Sequence, residues 1–427
     1  MTVVHPLLAR LFRRLDERGL RWTLLRVPDL AAPTGDVDVL VAPEDAGALR
    51  TAAESCGLVA VPGWDQLPNL LLVGYDRASD LWLQLDVVAE VEFRRPRPWP
   101  LTGLAAGVLG RHEECDGVRV PADGDAFWLL LLHDVLDKRE IPDRARTRLR
   151  ALATAAGESS LQAALEAAAA GAWRSADAVA AARDGRWDDL LRLGDQLATA
   201  LAPRRARAAR VRDAGRRLRR AARRPLLLRS RRGVSLVVLG PNGVGKSTLA
   251  AGLQATLPFE SRVLHMGLWK AAGGSPPRAV LEILLRPFRV WLRWCVAQYH
   301  QARGRLVIFD RYVYEARLPA QPPLLALKKP YFWVLGHAVP HADTGVFLDV
   351  PGELAFARKD ENTPEELESE RLFYRGVVGA VPSMRTVNAA RDADAVRAEV
   401  TGVLWAALRA RWRGRHEQPS TVPGGES

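Results

Sequence analysis

The chain contains the run Gly240-Pro241-Asn242-Gly243-Val244-Gly245-Lys246-Ser247, followed by Thr248. Glycines at the first, fourth and sixth positions let the backbone wrap an anion without Cβ clashes, so that successive N–H groups point inward. The run sits between an apolar stretch, Ser235-Leu236-Val237-Val238-Leu239, and helix-forming Thr248-Leu249-Ala250-Ala251. That context is the one GxxxxGK[ST] needs to cradle a nucleoside triphosphate at a helix N-terminus. The expected cofactors are ATP and Mg²⁺. Lys246 would reach the β- and γ-phosphates, Ser247 would ligate the metal, and Gly240 to Thr248 would line the nucleotide site.

A second candidate set lies further on. Arg305-Leu306-Val307-Ile308-Phe309 reads as a strand ending in Asp310-Arg311-Tyr312. Ligands collect at the carboxyl ends of parallel strands, so Asp310 would stand beside the loop, holding the metal's water shell or accepting a proton from an acceptor. Arg311 could clamp an acceptor or transferring phosphate. Water-activating ATPases usually place an acid after the metal carboxylate, whereas arginine follows here. Arg358 and Lys359, in a helix after Leu348-Asp349-Val350-Pro351, would bring cations onto the transferring phosphate from a lid.

The N-terminal third carries its own acidic set. Asp36 and Asp38, two apart in Gly35-Asp36-Val37-Asp38-Val39-Leu40-Val41, would share a strand face. Asp86 lies in the strand-like run Leu83-Gln84-Leu85-Asp86-Val87-Val88. Three such carboxylates on one sheet surface could hold divalent metal ions and position a triphosphate. The pair His133-Asp134, in an apolar helical run, reads as a satisfied polar contact at a helix interface or as an aid to that site.

These residues need elements to position them. In residues 1–105, helices are expected at 5–18 and 44–56, strands at 21–26 and 37–41, and an antiparallel pair at 69–75 and 81–89. Residues 106–203 form an Ala- and Leu-rich helical region. Residues 204–232 are an arginine-rich linker. From 233 to 413 strand and helix alternate, with strands at 234–239, 261–265, 305–309, 344–349 and 384–388, which predicts an α/β domain with a parallel sheet. The polar residues 414–427 read as a disordered tail.

The formal charge of +12 is concentrated in the linker. Residues 204–232 hold fourteen Arg and one Asp, a local charge of +13, leaving −1 for the remainder. This linker suits an anionic membrane surface or nucleic acid, or is simply a solvated basic linker inflated by codon usage. Aromatic interleaving is almost absent, which gives base stacking no support. Three scattered cysteines, Cys56, Cys115 and Cys295, exclude a disulfide framework or zinc spacing and fit a reducing, cytoplasmic compartment. No signal peptide or transmembrane helix is expected.

The order GPNGVGKST, FDRY, LDVPGELAFARK and a lid ending in Tyr374-Arg375 resembles the thymidylate kinase group of P-loop kinases over about residues 234–412. The resemblance implies a P-loop NTPase fold and gives Lys246, Ser247, Asp310, Arg311 and Arg358 the roles above. It departs after the second strand, where thymidylate kinases carry Arg-Glu-Pro-Gly and this chain has His265-Met266-Gly267-Leu268-Trp269-Lys270. Residues 1–105 resemble the polymerase-beta-like nucleotidyltransferase fold, an α+β domain whose metal site is Asp-x-Asp plus a later strand Asp. There the usual Gly-Gly or Gly-Ser is replaced by Val27-Pro28-Asp29-Leu30-Ala31-Ala32-Pro33-Thr34. The expected activity is phosphoryl transfer to a small-molecule acceptor such as a nucleoside monophosphate. A sugar, a lipid-linked glycan or a nucleic-acid end remain open as acceptors, as does a nucleotide-dependent switch without transfer.

Overall fold

The computed structural model describes all residues except 1–2, 27–28, 68, 98, 156, 203–210, 212–213, 216–217, 219–231, 268–275, 318–324, 360–361 and 417–427. Most of the arginine-rich linker and most of the expected tail therefore lie outside the described residues. The chain divides into two compact units: Met1–Asp76 with Leu81–Arg223, and Arg77–Asp80 with Arg224–Ser427.

The first unit opens with α1 (Pro6–Glu17), which buries Leu8, Leu11, Phe12 and Leu15. Their spacing of three and four residues makes a single apolar stripe. A five-stranded mixed sheet follows, built from β1 (Trp22–Leu24), β2 (Asp36–Val41), β3 (Val59–Gln66), β4 (Asn69–Asp76) and β5 (Leu81–Val88) in the order β1-β2-β5-β4-β3, with α2 (Ala46–Ser55) between β2 and β3. β2 and β5 are parallel, and the other pairs are antiparallel. Val37, Val39 and Val41, with Leu83, Leu85 and Val87, face α1 and α2 in one core. The alternate positions therefore carry Asp36, Asp38 and Asp86 on the opposite face.

β3 was not legible in the sequence because Pro62 and Gly63 interrupt it. Both depress strand propensity and are tolerated at an edge with a bulge, and the register of β3 slips between Ala60 and Asp65. The next region is not wholly helical. After α3 (Leu104–Gly110), β6 (His112–Cys115) and β7 (Val118–Pro121) form a hairpin turning at Asp116-Gly117, both with positive φ. An Asp-Gly pair favours that turn, so the signal was present in the sequence.

Helices follow in the unit: α4 (Asp123–Leu132), α5 (Asp143–Ala155), α6 (Ser160–Ala169), α7 (Ser175–Asp184) and α8 (Trp187–Leu201). α4 runs into a π-helical turn over His133–Lys138. The core of this bundle includes Leu40 from the sheet, so the carboxylate face of the sheet looks toward α4.

The second unit is a parallel sheet ordered β12-β11-β8-β10-β9, formed by β8 (Ser235–Leu239), β9 (Ser261–His265), β10 (Leu306–Asp310), β11 (Thr344–Asp349) and β12 (Met384–Asn388). All five predicted strands are present. Its helices are α9 (Lys246–Thr256), α10 (Pro276–Ala302), α11 (Leu325–His337), α12 (Gly352–Arg358), α13 (Pro364–Ala380) and α14 (Ala393–His416). β8 is buried at every residue, as expected for a central parallel strand covered on both faces. α14 runs three residues beyond the expected domain end at 413.

Candidate functional site

The loop after β8 enters α9 directly, so the helix dipole points at the space the loop encloses. Gly243 has φ of +81°, and a Cβ there would lie 2.5 Å from the Ala355 carbonyl oxygen. Only glycine fits that position. Lys246 Nζ donates to the carbonyls of Gly240 at 2.8 Å and Pro241 at 2.6 Å. Burial, helped by the nearby Arg311 charge, pushes its ammonium down to a pKa of about 8. Ser247 and Thr248 stand exposed at the start of α9.

β10 ends beside this loop. Asp310 Oδ1 is buried with no hydrogen-bond partner, while its Oδ2 lies 3.3 Å from His265 Nδ1. An orphaned carboxylate oxygen close to the loop, together with the Ser247 hydroxyl, is a donor set of the type that takes a hard divalent cation. The observed residues therefore fit a magnesium-bound nucleotide.

Arg311 adopts φ of +67°, a left-handed conformation costly for a residue with a Cβ. The surroundings hold it there. Its Nη1 donates to Glu315 Oε1 at 3.0 Å and its Nη2 to Asn242 Oδ1 at 2.7 Å. Two of its five N–H groups are thus used, and three are left for an incoming phosphate. Glu315, in a 3₁₀ turn over Val313–Arg317, is completely buried. Its Oε1 also accepts from the Tyr374 hydroxyl at 3.2 Å, and its Oε2 has no partner. A continuous chain therefore runs from the phosphate loop through Arg311 and Glu315 to Tyr374 on α13. Burial drives the Tyr374 hydroxyl well above its ordinary pKa, so it remains a donor.

The sequence reading missed Asn242 as an anchor and Glu315 altogether. No motif marks Glu315; four residues beyond Arg311, it meets that arginine only because a 3₁₀ turn folds the chain back.

A cavity of about 1000 Å³ joins these parts, at the upper end of the range for ligand pockets. Lys246, Arg311, Arg358, Lys359, Arg391 and Arg397 line it against Asp310 and Asp394, an excess of cations that favours a polyphosphate. Arg358 also donates to the Ala389 carbonyl at 3.0 Å. Asp349, at the end of β11, is turned to a different task. Burial works to raise its pKa, but hydrogen bonds from Arg371 and Arg375 outweigh this and hold it below the ordinary value. Those two arginines thus brace α13 against the sheet.

In the first unit, Asp38 and Asp86 stand side by side in register on β2 and β5, with Asp36 on the same face. Burial, then Asp38 and Asp36, push the Asp86 carboxyl up to about 6. Arg26 is ion-paired to Asp38. A cavity of about 320 Å³ adjoins them, lined by Arg26, Asp38, Asp86, Glu90, His133 and Asp137 among others. As placed, the three aspartates do not close into a metal cluster: among the described residues no group of three His, Cys, Asp or Glu side chains could hold an ion.

Asp134 is not the satisfied interface contact expected of it, and His133 stands on the cavity beside Asp38 and Asp86. His133 Nδ1 lies 3.2 Å from Asp137 Oδ2 and faces the cavity. Asp134 points into the bundle, accepts from Lys138 at 3.4 Å and keeps Oδ2 unpartnered, and burial raises its pKa. Adjacent residues on a helix point about 100° apart, so the two side chains meet different surroundings.

No family model and no curated relative matches the chain. Among solved structures, it is similar to thymidylate kinase from Candida albicans at 18% identity and a TM-score of 0.31, over 42% of this chain and 93% of that one. It is also similar to a deoxyadenosine kinase from M. mycoides, solved with dATP bound, at 16% identity and a TM-score of 0.27, over 40% and 98%.

Proposed function

We propose that the second unit is an ATP-dependent kinase of the thymidylate kinase-like group, transferring the γ-phosphoryl group to a small-molecule acceptor, with nucleoside monophosphates the first class to test. One observation carries this reading. The strand end beside the phosphate loop presents a carboxylate with a free buried oxygen, and the next residue is an arginine tied across to that loop. A water-activating site would place an acid there. An arginine with three spare N–H groups suits an anionic acceptor.

In this reading Lys246 leaves the Gly240 and Pro241 carbonyls and turns onto the β- and γ-phosphates. Bound Mg²⁺ supplies charge neutralisation at the phosphates, with Ser247 and Asp310 holding it. Arg311 orients the acceptor, and Arg358 lies ready over the transferring group. The acceptor oxygen bonds to the γ-phosphorus as the bond to the β–γ bridging oxygen breaks, and ADP leaves. His265 replaces the acceptor-holding segment of thymidylate kinases, so thymidylate is not singled out among acceptors.

The test is product analysis with Mg-ATP and a panel of nucleoside monophosphates and sugars. ADP should appear together with a phosphorylated acceptor, and only when that acceptor is present. ADP released at an equal rate without any acceptor would instead favour an ATPase or switch.

A second reading concerns the first unit. Asp36, Asp38 and Asp86 on one face beside a cavity favour nucleotidyl transfer, with metal binding there requiring Arg26 to release Asp38. The double change Asp36→Asn with Asp38→Asn should remove any nucleotidyl transfer and, if the two sites are independent, leave ADP formation by the second unit within about twofold. Nucleotidyl transfer surviving the double change would end this reading.

A further inference from the structure

Helix α10 is apolar on two opposite sides. Val290 and Ala297 turn into the core of the second unit, where Trp294 packs against them. On the other side Leu285, Phe288, Trp291, Leu292, Val296 and Tyr299 recur at helical spacing and stand in solvent, Phe288 by 67% and Leu292 by 54%. The neighbouring helix α11 adds Trp333, exposed by 65%, and Val334. Scattered exposed apolar residues need no explanation, but a stripe along four turns of one helix, widened by a second helix, is an interaction surface.

Charge identifies what covers it. Arg286, Arg289 and Arg293 flank the stripe, Arg303 caps its end with its guanidinium 5.7 Å from the centre of the Tyr299 ring, and Lys329 is exposed on α11. No Asp or Glu occurs anywhere from 283 to 302 or from 316 to 342. Two-fold pairing with a second copy would gather like cations in one interface, with Glu282 the one carboxylate in the sequence of either helix to answer them. Aromatic and aliphatic side chains edged only by cations match the boundary between headgroups and acyl chains of an anionic bilayer. There rings and methyls enter the acyl region while guanidiniums stay with the lipid phosphates. No helix among the described residues is long and apolar enough to cross a membrane, so the contact is lateral.

We propose that the α10–α11 face docks the second unit on an anionic lipid surface. The experiment is co-sedimentation of the full-length protein with phosphatidylcholine vesicles containing phosphatidylglycerol, and with phosphatidylcholine alone. The native chain should bind the anionic vesicles and leave the neutral ones. The triple variant Phe288→Ser, Leu292→Ser, Val296→Ser retains residues 204–232, and should lose at least about tenfold in binding, given the transfer free energy of the apolar groups removed. The variant Arg286→Gln, Arg289→Gln should weaken binding and flatten its dependence on salt. Circular dichroism and thermal unfolding establish that both variants are folded.

Three results overturn the proposal. One is no binding of the native chain to anionic vesicles. Another is binding unchanged in either variant, which would assign the attraction to the arginine-rich linker. The third is a native dimer, seen by sedimentation velocity, that the triple variant dissociates, which would assign the face to a second copy.

Discussion

Replacing Lys246 by alanine should lower the rate of acceptor-dependent ADP formation on the order of 10³-fold, the loss expected when a preorganised donor to developing charge is removed from a dry site. The protein should remain folded. In the ligand-free protein Lys246 is a desolvated ammonium whose pKa has been pushed down to about 8, held only by two loop carbonyls. Taking it away relieves that desolvation and leaves the carbonyls to solvent in an open cavity, so the thermal midpoint should move by no more than about 2–4 °C, the shift that 1 kcal/mol produces in a unit of this size. The two readouts separate a chemical role from a structural one. Retained transfer with a normal midpoint would remove Lys246 from the mechanism. A collapsed midpoint would mean that the lysine is a strut for the loop.

Glu315→Ala should have the opposite signature, a large loss of stability accompanied by a loss of transfer. Glu315 is fully buried and receives both Arg311 and Tyr374. Its removal leaves a guanidinium and a phenol hydroxyl without their acceptor inside the unit. Breaking a buried pair costs about 3–5 kcal/mol; here about 3 kcal/mol is expected, because 26% of the Arg311 side chain still meets solvent. For a unit of this size that lowers the thermal midpoint by about 6–12 °C. Transfer should fall even below the unfolding range, because the Arg311 guanidinium then keeps only its bond to Asn242 and loses its fixed orientation. Glu315→Gln keeps an acceptor for both donors and should recover most of the stability. If the alanine variant unfolds at the native temperature, the positioning role assigned to Glu315 is wrong. Differential scanning calorimetry and steady-state assay of the two variants decide the matter.

These two residues mark the limit of what the chain reveals when read in order. Lys246 was identifiable from spacing because the constraint on it is local. A triphosphate must be wrapped by contiguous backbone between a strand and a helix, so the whole device is written within nine residues. Asp310 and Arg311 were identifiable for a related reason, since a carboxylate at the end of an apolar parallel strand has only one place to go. β8, β10 and β11 were equally legible, being near-continuous apolar runs buried on both faces, whereas β9 and β12 are exposed at most positions. Asp36, Asp38 and Asp86 could be assigned to one face because strand alternation is strict, and the parallel register of β2 and β5 sets Asp38 beside Asp86.

What the sequence determined, then, were features governed by a short period or a contiguous motif: the glycine-rich loop between strand and helix, the apolar strands behind it, and the shared face of the acidic residues. Tertiary structure decided everything that depends on partners far apart in the chain. It tied Arg311 to Asn242, 69 positions earlier, and Glu315 to Tyr374, 59 positions later. It set His133 on a cavity and buried Asp134 behind it, and it left α10 apolar on the side away from the core. No local spacing encodes such encounters, because they are made by packing, and packing brings together residues whose separation along the chain carries no signal.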